Sequence, residues 1–404
     1  MVNDKSINID QVNQYSGTPG WDMSEWLTRE EALERLKVRA QTLYAYVSRG
    51  RIGVRPDRLD PRRSQYRADD IAALATRRAR GRSPQAIAKS AIAWGEPAIS
   101  TSISTVEHGR LIYSGKDAAV LSATATLEET AKLLWASGAA VSFALPGSND
   151  SPETGRAAAF ARLAALAAEG RASLGRNPAS LQEDGAGAIG SLALALGARP
   201  GSGTVHERLA QGWSVDAAGA DLIRRALVLL ADHELNASTF AARVAASTGS
   251  PIAACLLAGL VTLSGPRHGG AAEALMGLVE DAQRLGADAA IGRWLGHDRP
   301  LPGFGHALYP EGDPRTQALL FGIDVDSGLV RLRDAVFAET GMRPNVDFAL
   351  AALTRRLHLP ADAPFRLFAL GRSIGWTAHA VEQITSSGLI RPRARYEGPL
   401  QELA

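Results

Sequence analysis

Apolar residues recur at helical spacing over most of this chain, and strand signals are confined to two short stretches. Residues 1–24 are polar, without a period, and predict a disordered arm. At Trp26 the text changes. Thr28 followed by Glu31 is a capping-box pattern, opening a short helix with Ala32, Leu33 and Leu36 on one face. A tight connection near Val38 leads to a second helix over residues 40–49, carrying Leu43, Tyr44 and Val47 and stopped by Gly50. The turn-rich, Arg-rich stretch from Arg51 to Tyr66 predicts a β-hairpin, and a third helix begins near Ala68 and Asp69. Residues 77–95 read as a linker.

The second strand signal covers residues 103–113, with His108-Gly109-Arg110 as its turn. From Thr126 the pattern is almost wholly helical. Thr126 and Glu129 form another capping box, followed by the stripe Leu127, Ala131, Leu134 and Trp135. Pro152 marks the first turn of an Ala-rich helix running to Glu169. Leu222, Ala226, Leu227 and Leu230 line a helix that ends near His233, and Asn236 and Ser238 are available to cap the next one. No repeat and no strand–helix alternation appears, so the expected fold class is mainly α. The Gly-rich stretch around Gly201 lacks the Lys of a phosphate loop and reads as a plain connection.

At 404 residues there is room for two or three domains, and 46% hydrophobic with 21% charged residues is the composition of a soluble globular protein. Cys255 is the single cysteine, so no internal disulfide forms; it sits in the apolar run 251–263 and reads as a small buried hydrophobe. That run is too short to span a bilayer and the N-terminus lacks a signal-peptide pattern, so the expected location is cytoplasmic. Charge is uneven. Residues 26–82 hold 15 Lys/Arg against 7 Asp/Glu, a balance of +8, which leaves −6 for the rest of a chain whose net charge is +2. A basic head on an acidic body is a pattern met in nucleic-acid binders.

The candidate chemistry lies further on. His268 stands in S-G-P-R-H-G-G, His306 in L-P-G-F-G-H-A-L-Y, and Asp347 in R-P-N-V-D-F. Two imidazoles and a carboxylate suffice to take a proton from carbon and polarise two carbonyls. His233 lies at a helix junction, and Arg315, Arg372 and Arg391 add cations of the kind that pair bidentately with carboxylates. Taken singly, each histidine has a plainer reading as a hydrogen-bonded turn or core residue.

Taken together, the motifs G-P-R-H-G-G-A-A-E-A, P-G-F-G-H-A-L-Y…D-P-R, N-V-D-F, F-A-L-G-R-S-I-G-W-T-A-H-A-V-E-Q and R-P-R-A-R-Y resemble the citrate synthase family. The likeness reaches back through D-H-E-L-N-A-S-T-F-A-A-R-V to about residue 95. It implies a two-domain helical fold: a large domain over 83–265, completed by 372–404, and a small domain over 266–371. It also implies a homodimer. The reaction implied is condensation of acetyl-CoA with oxaloacetate to citrate and CoA, with no metal and no bound prosthetic group. By the resemblance Asp347 is the base, His268 faces the thioester carbonyl and His306 the keto oxygen. His233, Arg315 and Arg372 bind the dicarboxylate, Phe368 packs against substrates, and Arg391 reaches the neighbouring subunit's site.

Some positions depart from the family pattern. Ala272 replaces an Asn, Arg267 a small or apolar residue, and Phe348-Ala349-Leu350 an aromatic-Ser-Gly continuation. Pro310 and Glu311 stand where a basic residue near CoA phosphates is common, which leaves Arg343 as a candidate for that contact. These departures bear on acyl-CoA affinity and acyl size, so propionyl-CoA as co-substrate, giving 2-methylcitrate, is the alternative. Residues 25–82 resemble a winged helix-turn-helix of the MerR/excisionase type. That likeness would set Arg39, Gln41, Thr42, Tyr46 and Arg49 toward DNA and Arg62 and Arg63 near phosphate. A regulator whose synthase-like body only senses a ligand is the rival of another class.

Overall fold

The computed structural model describes residues 26–38, 43–44, 46–47, 52–57, 60, 63–72, 74, 99–144, 153–296, 301–386, 388–394 and 398. The chain divides into two compact units, one of residues 99–392 and one made of 1–98 with 393–404.

In the unit built on the N-terminal segment, β1 (Trp26–Leu27), β2 (Val54–Pro56) and β3 (Ser64–Arg67) form an antiparallel sheet in the order β1-β3-β2. Helix α1 (Arg29–Leu36) opens on the expected box: Thr28 accepts the Glu31 amide while the Glu31 carboxylate accepts the Thr28 amide at 2.7 Å. Residues 43–44, 46–47 and 68–72 are helical. Leu27, Ala32, Leu36, Leu43, Ile52, Tyr66, Ile71 and Leu74 close a small core, against which Tyr46 packs half-buried. The hairpin expected between Arg51 and Tyr66 is β2–β3. Arg39, Gln41, Thr42, Arg49 and Arg62 lie outside the described residues; Arg63 is exposed and pairs with Asp60 at 3.4 Å.

The larger unit opens with a three-stranded antiparallel sheet, β4 (Ser104–Glu107), β5 (Arg110–Tyr113) and β6 (Lys116–Asp117). Helices then follow in succession: α2 (Ala118–Leu121), α3 (Leu127–Leu134), α4 (Arg156–Glu169), α5 (Pro178–Ala195), α6 (Val205–Gly212), α7 (Ala217–Leu230), α8 (Ala237–Ser247) and α9 (Ile252–Leu263). After them come α10 (Ala271–Leu285), α11 (Ala287–Leu295), α12 (Pro314–Leu320), α13 (Ser327–Thr340), α14 (Val346–Arg356) and α15 (Ala363–Ser386). The capping box of Thr126 and Glu129 forms as expected. The Ala-rich helix, however, begins at Arg156 rather than near Pro152, because Gly155 ahead of it holds φ +131°, outside any helix; Pro152 itself lies outside the described residues.

Two cores organise this unit. The larger one centres on α15, which is buried from Ala363 to Ile384 on nearly all faces and packs against α3, α5, α7, α8 and α9. A helix apolar on every side belongs inside a bundle, and each fully buried Leu or Phe on it contributes roughly 1.5–3 kcal/mol. Cys255 is buried in this core, and burial pushes its thiol up to about 12. The second core joins α10, α11, α13 and one face of α14, through Leu275, Leu278, Ile291, Phe304, Leu332 and Phe348. Helix α14 serves both: Ala349, Leu350 and Leu353 face the first core, Phe348, Ala351 and Ala352 the second. Its N-terminus therefore sits at the seam, and that is where Asp347 lies. Among the described residues no helix is long and apolar enough to cross a membrane.

Candidate active site

The seam collects the polar residues that the sequence distributes over more than a hundred positions. His233 follows α7 in a tight turn, buried, with its Nε2 2.9 Å from the Tyr309 hydroxyl. Its ring stands edge-on to His306 at 5.1 Å between centroids, and His306 lies 4.8 Å from Tyr309. Arg315, in the first turn of α12, is buried with its guanidinium carbon 5.5 Å from the Tyr309 ring. Arg372, on α15, stacks 4.9 Å over Phe368, whose edge meets His268 at 6.1 Å. Tyr309 thus links three members of the site, and Phe368 links two more.

Local backbone chemistry aims each side chain. His306 rides on a loop where Gly305 holds φ +71° and donates to the Arg343 carbonyl at 2.8 Å. The Leu308 amide donates to His306 Nδ1 at 3.2 Å, so a neutral ring carries its proton on Nε2. His268 Nε2 lies 2.8 Å from Ser238 Oγ, which also receives Trp376 Nε1–H at 3.2 Å. Asn236, not Ser238, is the N-cap of α8; its Oδ1 already accepts the amides of Ser238 and Thr239, each at 3.1 Å. The Ser238 hydroxyl itself donates to Asn236 Oδ1 at 2.7 Å, so toward His268 Nε2 its oxygen accepts, and a neutral His268 ring carries its proton on Nε2. His306 carries its proton on the nitrogen away from its anchor and presents an N–H donor there, whereas His268 presents Nδ1 as an acceptor.

Electrostatics sharpen the picture. Burial pulls His268 and His306 down to about 4, with Arg372 adding to the first and Arg315 to the second, while Asp313 opposes the shift at His306. His233 is driven well below its usual value by burial and then by Arg315 and Arg372. Near pH 7 all three rings are neutral donors or acceptors. Burial pushes Asp347 up to about 6 against the pull of Arg315 and Arg372. One of its oxygens, Oδ1, is shut off from solvent with no hydrogen-bond partner among the described residues, while its amide donates to Asn345 Oδ1 at 3.0 Å. Burial lowers Arg315, but Asp313 outweighs it and raises the group: that carboxylate takes Arg315 Nε at 2.9 Å and Nη2 at 2.7 Å. Arg372 is lowered to about 10 by burial; it donates from Nε to the Leu230 carbonyl at 2.9 Å and leaves Nη2 buried and unpaired. A guanidinium nitrogen and a carboxylate oxygen buried in one cluster without partners among the described residues are groups that a polar ligand would satisfy.

Nine predicted site residues have distinct fates. His233, His268, His306, Arg315, Asp347, Phe368 and Arg372 are joined by contacts or by their mutual electrostatic influence. Arg391 is exposed beyond α15 and takes no part in that cluster within the chain. Arg343 is exposed beside the cluster and lines a cavity of about 220 Å³ together with Gly305, His306, Tyr309 and Met342; its guanidinium lies 5.1 Å over Phe337. Tyr309, Asp313 and Ser238 are not among the site residues the sequence suggests, Ser238 being expected only as a helix cap. Tyr309 stands three residues after His306 and Asp313 two before Arg315, a proximity that offered a signal; Ser238 is 30 residues from His268 and offered none.

Fold and site together define a mainly helical protein with two cores and, at their seam, a cluster of buried guanidinium, imidazole and carboxylate groups. The chain belongs to the citrate synthase family: residues 148–393 match the family description "Citrate synthase, C-terminal domain". It is similar to citrate synthase 2 of Bacillus subtilis (39% identical over 190 residues, 44% of this chain and 51% of that protein). It is also similar to 2-methylcitrate synthase 2 of Corynebacterium glutamicum (36% over 190 residues, 44% and 49%). The chain spans about half the length of the curated relatives it matches. Among solved structures it resembles the Thermotoga maritima citrate synthase (27% identity, TM-score 0.61, covering 77% of this chain and 96% of that one). It also resembles the Thermoplasma acidophilum citrate synthase, solved as a ternary complex with carboxymethyl coenzyme A and oxaloacetate (25% identity, TM-score 0.65, 76% and 96%).

Proposed function

We propose that the protein condenses an acyl-CoA with oxaloacetate, releasing free CoA. The observation that carries this reading is the seam itself: a carboxylate raised to about 6 in one cluster with two neutral imidazoles, each held through one ring nitrogen. A thioester α-hydrogen is weakly acidic, so its removal needs a base near its working pH and a donor to the oxygen where charge develops. Asp347 takes the proton from the acetyl methyl group, and His268 faces the resulting enol oxygen. The His268 ring donates from Nδ1 in the tautomer reached when the Ser238 hydroxyl turns its proton from Asn236 Oδ1 to His268 Nε2. The enol carbon then bonds to the keto carbon of oxaloacetate while His306 Nε2–H supports the oxygen that becomes the hydroxyl. Water cleaves the citryl thioester, giving citrate and CoA. Arg315, Arg372 and His233 hold the dicarboxylate, with Arg391 reaching a second copy's site in a homodimer.

Acetyl-CoA is the preferred co-substrate and propionyl-CoA the alternative; relatives named for each reaction match at 39% and 36%, so similarity does not separate them. Arg343, exposed at the cavity beside His306, is the proposed contact for CoA phosphate. Thiol release from each acyl-CoA with oxaloacetate tests the reading. Turnover with one supports it, and failure with both overturns it in favour of a ligand-sensing body. For the N-terminal unit, hairpin β2–β3 and the +8 balance of residues 26–82 favour DNA contact. Duplex binding that weakens steeply with salt supports that role, and none at low salt removes it.

A further inference from the structure

Behind His233 runs a buried polar chain that the proposed chemistry leaves unused. Asp232, fully buried, accepts from the Ser104 hydroxyl and from His379 Nε2, the latter at 3.2 Å, both on Oδ2. Arg243 donates to His379 Nδ1 at 2.7 Å, which fixes the imidazole proton on Nε2, toward Asp232. Arg243 is in turn anchored by Glu382 at 2.6 Å and by Gln383 at 3.1 Å. The elements involved lie far apart in sequence: β4, the end of α7, α8 and α15.

Two features turn this chain toward the site. Among the described residues, Asp232 Oδ1 is buried with no hydrogen-bond partner, and so is Arg372 Nη2. Asp232 is the foremost charge that holds the Arg372 guanidinium against the cost of burial, and Arg372 helps keep Asp232 ionised. Its position is also set by packing, because Gly375 on α15 crosses so close that a Cβ there would collide with Asp232 Oδ1 and the Ala231 carbonyl. The Asp232 amide donates to the Tyr113 hydroxyl at 3.1 Å, and the residue that follows is His233. A buried carboxylate persists only where other groups compensate it, and this one is compensated from both the outer chain and the site.

We propose that Asp232, held by Ser104 and by the His379–Arg243 pair, is a positioning residue that sets the placement of His233 and the charge of Arg372 for carboxylate binding. The inference rests on the condensation reading, since it assigns Asp232 to the oxaloacetate arm of that site. Ser104→Ala and His379→Leu each remove one donor to Asp232 and leave every substrate-facing side chain in place. The assay is steady-state thiol release with oxaloacetate and acetyl-CoA or propionyl-CoA varied in turn, alongside thermal unfolding. The expected result is an oxaloacetate KM raised about tenfold, from loss of a hydrogen bond to a buried charge, with the acyl-CoA KM unchanged. A merely structural role lowers the unfolding temperature without moving the oxaloacetate KM. An oxaloacetate KM within twofold of the parent in both variants overturns the proposal. A parent protein that neither binds oxaloacetate in calorimetry nor releases thiol overturns the condensation reading and this inference with it; parent turnover with unmoved variants sinks this inference alone.

Discussion

Replacing Asp347 by Asn should make the unliganded protein more stable at pH 8 while removing the proposed base. The folded-state value of about 6 lies above the ordinary 3.8 of an aspartate, because burial disfavours the charged form. Folding therefore penalises ionised Asp347. The penalty is nearly absent below about pH 3, where the group is protonated in both states, grows between the unfolded value of 3.8 and the folded value of about 6, and is complete above about pH 7. A shift from 3.8 to about 6 corresponds to about 3 kcal/mol at pH 8 and under about 1 kcal/mol at pH 4. Asn keeps the shape and sheds the charge, and Oδ1 has no partner whose loss would offset the gain. Urea titrations of both proteins at pH 8 and pH 4 measure the difference. The expected outcome is a variant more stable by about 1–3 kcal/mol at pH 8, with the advantage shrinking toward pH 4. A variant equally stable or less stable at pH 8 would show that Asp347 is not held under desolvation strain.

Three other outcomes follow from the same geometry. With the proposed substrates, kcat/KM should rise with pH through about 6 as Asp347 ionises, and the imidazoles, at about 4, should leave no step between pH 6.5 and 8; an acid limb centred near pH 7 contradicts this assignment. Ser238→Ala removes the partner of His268 Nε2 and should lower kcat about tenfold with little change in the oxaloacetate KM, as read from initial rates. Arg343→Ala should raise the acyl-CoA KM several-fold and leave the oxaloacetate KM alone, because the side chain lines the cavity beside His306 without joining the buried cluster.

How much of this was legible in the sequence depends on range. Both capping boxes, at Thr28 and Thr126, form because their partners are three residues apart and need nothing from the rest of the chain. Hairpin β4–β5 turns at His108-Gly109, both at positive φ, as the local pattern predicts. The start of α4 was misplaced because a proline is compatible with a first helical turn, whereas the conformation of Gly155 decides it. For the site, His268, His306 and Asp347 stand in recognisable local motifs. Their tuning does not: the contacts of His268 with Ser238 and of His379 with Asp232 cross 30 and 147 positions, and only packing reveals them. Asp347's raised value likewise comes from the seam between two cores, which no window of sequence contains.

The central claim is that Asp347 is the base that starts condensation. Its most direct test compares thiol release by the parent protein and by Asp347→Asn, with oxaloacetate binding measured calorimetrically in both. A positioned general base contributes about 10²–10⁴-fold. The account predicts a loss of turnover in that range with oxaloacetate affinity within a few-fold of the parent. A variant that turns over within tenfold of the parent, or that loses oxaloacetate binding altogether, would contradict it.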